Sequence, residues 1–291
     1  MGIFQRTGFA LLLACSVGLS GCSSLEFLNT VSGAPAVEPV TLRYGASPRQ
    51  QIDVYPQPSR TGAPPAPVVV FFYGGAWASG ARDQYAFVAR TFHRLGYVVA
   101  IPDYRLYPEV VYPGFVQDSA DALHAIVERV GALGGDPRRI VLMGHSAGAY
   151  NASMIAMDRR WLSPELRSRV RGVVGLSAPV NFLPIQMPEA QRAFSWPNTP
   201  TESQPIAHVS AGVPPMLLIT AERDPLVDPD LNSRALAARL KAAGAQVDVQ
   251  TVAGPLGLMT HAGLVATLSE RFSFLAPTIE SVRGFIERVT Q

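Results

Sequence analysis

Five bulky apolar residues in succession, Val68-Val69-Val70-Phe71-Phe72, leave no face that could be turned to water. A strand of that composition must be covered on both sides, as an inner strand of a largely parallel sheet is. The same signature returns at residues 97–101, 139–143, 170–176, 216–220 and 247–252. Amphipathic stretches lie between these runs, among them 115–130 and 231–243, the second closed by Gly244 as a C-cap. Residues 40–44 and 51–55 read as an opening antiparallel pair. The alternation predicts an α/β chain: a mostly parallel sheet with helices on both faces.

At 291 residues the chain is long enough for one full core. Residues 40–291 are therefore read as a single domain. Hydrophobic residues make up 48% and charged residues 16%, which excludes a disordered chain. The formal net charge is +2 with no basic block, which argues against nucleic acid as a partner. The strand–helix rhythm breaks at residues 181–214, which are rich in proline and carry Phe194 and Trp196. This stretch is expected to be a small cap over the site, an ordinary long loop being the alternative.

Both cysteines, Cys15 and Cys22, fall in the N-terminal apolar segment, so the rest of the chain can form no disulfide. Arg6 supplies a positive start, residues 9–19 an apolar core, and small residues follow, as in an export signal. The segment is short for a transmembrane helix. Leu19-Ser20-Gly21-Cys22 resembles a bacterial lipoprotein box, which implies lipidation of Cys22 as the new N-terminus. Multiple acyl chains there would give a stable membrane anchor. Residues 1–22 are thus expected to be a signal and 23–39 a tether. The protein is expected to be exported and anchored to the bacterial envelope, with Ser23 favouring the outer membrane.

Gly144-His145-Ser146-Ala147-Gly148 fits G-x-S-x-G, with an apolar strand leading in and a helical run leading out. A serine on such a sharp turn needs small neighbours, because larger ones would clash. Its hydroxyl becomes a useful nucleophile only beside a base that takes its proton. With Ser146 as nucleophile, the acid and then the histidine follow along the chain. His261 is the sole histidine beyond the acid candidates, the others being His93, His124, His145 and His208. Glu222, Asp224 and Asp228 all lie in the loop after residues 216–220, where the acid belongs. Asp224 is preferred because Pro225 fixes the turn beyond it, while Asp228 reads as an N-cap; Glu222 and Asp228 stay open. Oxyanion stabilisation requires backbone N–H groups. Ala147 would supply one, and Gly75 and Ala76 of Tyr73-Gly74-Gly75-Ala76-Trp77 the others.

Tyr73 to Trp77, Asp103-Tyr104-Arg105-Leu106-Tyr107-Pro108-Glu109, the Ser146 turn and Asp224-Pro225-Leu226 together resemble the hormone-sensitive-lipase-like carboxylesterase branch of the α/β-hydrolases. The resemblance spans nearly all of residues 40–290. It implies the α/β-hydrolase fold, the Ser146–Asp224–His261 triad, the oxyanion loop and action on short acyl esters. Two positions depart from that branch, which usually has His at Tyr73 and a third Gly at Ala76; Ala76 retains its N–H. The leading expectation is a serine carboxylesterase acting on a small-molecule ester, with no metal and no organic cofactor. An amidase or formamidase of the same fold, and an inactive binding module on the cell surface, are the other readings.

Overall fold

The computed structural model describes residues 21–33, 37–58, 62–257 and 259–291, with side chains from Ser24 onward. Residues 1–20 of the segment read as an export signal, and the side chain of Cys22, lie outside the described residues. The strands are β1 (Val40–Arg43), β2 (Gln51–Tyr55), β3 (Ala66–Phe72), β4 (Val98–Pro102), β5 (Gly135–His145), β6 (Val170–Leu176), β7 (Met216–Ala221) and β8 (Val247–Val252). They form one sheet in the order β1-β2-β4-β3-β5-β6-β7-β8. The pairs β1–β2 and β2–β4 are antiparallel, and every later pair is parallel. Val68 to Phe72 are fully buried at the middle of that order, as their composition demands. β8 closes one edge, and only its end residues Val247 and Val252 are buried.

The helices are α1 (Gly21–Ser32), α2 (Ala86–Arg94), α3 (Gly114–Arg129), α4 (Ala147–Met157), α5 (Pro164–Arg169), α6 (Pro188–Ala193), α7 (Ala235–Ala242), α8 (His261–Ala266) and α9 (Thr278–Val289). Two glycines of β6 locate the layers. A Cβ on Gly172 would strike Phe285 and Val289 of α9, while one on Gly175 would touch Ala149 of α4. Residues three apart on a strand face opposite ways, so α9 and α4 cover opposite faces of the sheet. Every residue of α4 is buried, which is why this helix shows no polar stripe. The helix expected at 231–243 opens instead as a π-type turn at Asp230–Arg234 and runs into α7. Gly244 follows at φ +79°, and Ala245 N–H returns to the Leu240 carbonyl at 2.9 Å, the closure a left-handed glycine permits.

The reading of residues 23–39 as a tether is corrected through Ser32. Leu28 of α1 is buried and Leu25 packs beside it. Asn29 accepts from the Phe87 N–H (3.0 Å) and donates to the Asp83 carbonyl (2.9 Å), which ties α1 to the start of α2. The Ser32 and Ser269 hydroxyls meet at 2.6 Å. The small polar residues that suggested a linker surround a short apolar stripe, and that stripe decides the packing.

Candidate active site

The Ser146 turn is built by close backbone approach. Ser146 has φ 54° and ψ −126°, a conformation costly for a residue with a side chain. A Cβ on Gly148 would stand 2.0 Å from the Phe72 carbonyl oxygen, and one on Gly144 would meet Gly148 at 2.4 Å. Glycine is required at both places. Ser146 N–H bonds to the Leu176 carbonyl at 2.9 Å, which pins the turn to the end of β6. The Ser146 carbonyl accepts the first helical bond of α4, from Tyr150 at 3.1 Å, leaving the Ala147 N–H at the helix start.

His261 and Asp224 meet. His261 Nδ1 lies 2.8 Å from Asp224 Oδ2, and both residues are buried, at 8% and 7% exposure. The other carboxylate oxygen of Asp224 accepts the N–H groups of Leu226 and Val227, each at 3.0 Å. Burial alone would raise the Asp224 pKa, but the bonds from His261 and the Val227 N–H outweigh it and hold the carboxyl below its ordinary 3.8. Glu222 and Asp228 are exposed. Asp228 accepts from the Asp230 and Leu231 N–H groups, at 2.8 and 3.3 Å, the capping role expected of it. His261 is the first residue of α8, whose N-cap Thr260 accepts from Gly263 at 3.0 Å.

His145, which the sequence offered only as the variable letter of the motif, bridges the two halves. Its Nε2 lies 3.0 Å from the His261 carbonyl oxygen, and the two rings are 4.8 Å apart. Burial pushes its pKa from 6.5 to about 3, so the ring is neutral and donates Nε2–H to that carbonyl. A Cβ on Gly74 would lie 3.1 Å from both His145 Nδ1 and Ser146 Cβ, so the Gly74 backbone passes directly over the turn.

The loop after β3 holds Gly75, Ala76 and Trp77 at φ +135°, +50° and +56°. A Cβ on Gly75 would stand 2.1 Å from the Ser79 carbonyl oxygen. Ala76 and Trp77 keep strained geometry because both flanks are fixed. On one side, Tyr73 donates its hydroxyl to Asp103 Oδ1 at 2.7 Å and accepts from Arg49 at 2.7 Å. The Tyr104 hydroxyl donates to the Tyr73 carbonyl at 2.8 Å. Asp103 also takes the Arg82 N–H (2.8 Å) and pairs with the Arg82 guanidinium, which reaches Asp53 at 3.0 Å. Burial raises the Tyr73 pKa well above 10, so it is a permanent donor. Tyrosine here is a strut beneath the loop.

On the other flank, Trp77 Nε1 donates to Asn151 Oδ1 of α4 at 3.1 Å. Its ring meets Phe194 edge-on at 4.7 Å and stacks with Phe182 at 5.9 Å. Phe182 and Phe194 belong to residues 181–214, which fold as α6 and two 3₁₀ turns, Thr201–Ser203 and Pro205–His208. That stretch therefore sits on the loop itself. Tyr150 and Phe115 complete the aromatic cluster, at 5.1 and 5.7 Å from Trp77. The sequence did not announce Arg49, Asp53, Arg82, His145 or Asn151, whose partners arrive only through folding.

The BD-FAE family model matches residues 52–240. Over 116 residues the chain is 40% identical to a rice protein (Oryza sativa subsp. japonica) named Probable isoprenylcysteine alpha-carbonyl methylesterase ICME, a match covering 40% of this chain and 28% of the relative. It is 32% identical over 205 residues to Carboxylesterase NlhH of Mycobacterium tuberculosis, covering 63% of each. The chain thus spans less than two thirds of the length of either relative. Among solved structures it superposes on EstE1, a thermophilic carboxylesterase cloned from a metagenomic library, with a TM-score of 0.77 at 23% identity, covering 92% of this chain and 95% of that one. The sheet order, the glycine-walled turn and the family match agree: the chain belongs to the BD-FAE family and has the α/β-hydrolase fold of the carboxylesterase branch that its motifs resemble.

Proposed function

We propose that the protein is a serine carboxylesterase that cleaves short acyl or small aryl esters through an acyl-enzyme. The observation that carries this reading is the buried 2.8 Å His261–Asp224 pair, tied through His145 to the turn that holds Ser146. Asp224 accepts from Nδ1 and so leaves His261 Nε2 as the basic nitrogen. Nε2 takes the Ser146 proton as Oγ attacks the ester carbonyl. The oxyanion that forms is received by the N–H groups of Gly75, Ala76 and Ala147. Collapse expels the alcohol, which leaves with the proton held by His261. Water then attacks the acyl-enzyme by the same route, its proton passing to His261, and Ser146 regains a proton as the acid departs.

We propose further, from the resemblance of Leu19-Ser20-Gly21-Cys22 to a lipoprotein box, that the protein is exported and anchored to the envelope by acyl chains on Cys22. The test is hydrolysis of p-nitrophenyl acetate and butyrate by wild type and Ser146→Ala. The expected loss is roughly 10⁶-fold in kcat, the scale seen when a serine nucleophile is removed. Equal activity in the two proteins would refute the assignment of Ser146.

A further inference from the structure

We infer that Ser177 is a positioning residue for the proposed reaction, its hydroxyl donating to the Asp224 carboxylate as a proton moves onto His261. The inference rests on the esterase reading of the site and deepens it. Ser177 directly follows β6, where the backbone makes two contacts. The carbonyl of its neighbour Leu176 receives the Ser146 N–H at 2.9 Å, and its own N–H bonds to the Ile219 carbonyl of β7 at 2.8 Å. β7 leads into the loop that carries Asp224. One short run of backbone thus reaches both the turn of the nucleophile and the strand that delivers the acid.

Ser177 differs from a residue that merely ends a strand. Its φ is +44°, a region that is costly for a residue with a side chain and that glycine enters freely. The residue is fully buried. Among the described residues its Oγ meets no partner at full hydrogen-bond geometry, a cost that glycine or alanine would avoid. The group it does act on is Asp224, whose carboxyl the Ser177 hydroxyl helps, after His261, to hold below 3.8. Asp224 Oδ1 already accepts the Leu226 and Val227 N–H groups. Of the bonds with full geometry, Oδ2 receives the one from His261, which leaves it a lone pair for a hydroxyl. Hydrogen bonds of a catalytic site are often loose in the resting enzyme and tighten as the reaction proceeds. Here the moment comes when His261 takes the Ser146 proton and becomes a cation against Oδ2. A hydroxyl on the remaining lone pair then fixes Oδ2 and stabilises the carboxylate, so that the Nδ1 proton stays on the imidazole. Ser177 keeps its own proton throughout.

The test follows p-nitrophenyl acetate hydrolysis by Ser177→Gly and Ser177→Ala. Glycine removes the hydroxyl and relieves the backbone at once, so a residue that served the fold alone would be replaced without loss of kcat. Alanine removes the hydroxyl and keeps Cβ, which guards against an effect peculiar to glycine. Both should lower kcat about tenfold and leave KM within about twofold, the scale of one hydrogen bond to a charged group. In the Asp224→Asn background, read above the Ser146→Ala blank, the same changes should alter kcat by less than about twofold, because the group through which Ser177 acts is gone. A second readout needs no turnover: the carboxyl ¹³C signal of Asp224 should titrate at higher pH in Ser177→Gly than in wild type. The titratable groups facing that carboxyl, His261 and behind it His145, are the same in both proteins. Unchanged kcat, or an equal fall in both backgrounds, overturns the inference, and so does an unmoved Asp224 titration. Where Ser146→Ala hydrolyses the ester as fast as wild type, it is the esterase reading that fails, and the Asp224 titration alone then decides whether Ser177 holds the carboxylate.

Discussion

His145 carries two consequences that its place in a five-letter motif conceals. It is held neutral down to about pH 3 by burial, whereas in the unfolded chain it takes up a proton near 6.5. Between those values the unfolded state binds the extra proton, so stability falls as pH drops from about 6.5 towards 3. Urea unfolding at pH 7 and pH 5, both above the carboxylate range, should show a steeper loss for wild type than for His145→Gln. Equal slopes would remove His145 as the cause. Asp224 acts in a lower window: its carboxyl is held below 3.8, so the stability it contributes is present above that value and is lost as pH falls through the folded pKa. For catalysis, Asp224→Asn should lower kcat by about 10⁴, the scale expected when the imidazole loses its orienting carboxylate. The far-UV spectrum should be retained. The same change at Glu222, which is exposed, should leave kcat within about twofold of wild type, as expected of a surface substitution.

At the scale of elements, Trp77 joins the loop after β3, α4 and residues 181–214 into one unit. Trp77→Ala removes the 3.1 Å bond to Asn151 and the ring contacts with Phe182 and Phe194. Ala76 then loses what holds its φ of +50°. Loss of a well-placed oxyanion donor costs about 10²–10³ in kcat, and that is the fall expected, with KM changed far less. Steady-state kinetics on p-nitrophenyl acetate measures both.

The elements most legible in the sequence were those whose cause is local. Val68 to Phe72 could only be an inner strand, and the glycines at 144 and 148 could only wall a sharp turn. Asp224 was separated from Asp228 by the helix start that Asp228 caps. The docking of α1 was hidden because its anchor, Asn29, satisfies backbone groups more than fifty residues away. The Arg49–Tyr73–Asp103–Arg82–Asp53 cluster was hidden for the same reason, since sheet pairing, and no motif, brings those charges together. Tyr73 read as a departure from the family pattern until its two hydroxyl bonds explained it.

Across the whole molecule, stability is unevenly spread. The sheet and α4 form a dry core, with strands β3 to β7 paired on both sides. Residues 181–214 have only α6 and two 3₁₀ turns, and are seated through aromatic contacts. Such a segment opens at lower free energy cost than the sheet. On heating, esterase activity should therefore be lost at a temperature below the midpoint followed by far-UV circular dichroism, and rapid cooling from between the two should restore it. Coincident midpoints would show that the segment melts only with the core. The shared seat at Trp77 also couples that segment to the proposed chemistry. The ring that holds residues 181–214 in place is the same ring that keeps the proposed oxyanion donors aimed. Displacing that segment would therefore disarm the proposed site as well.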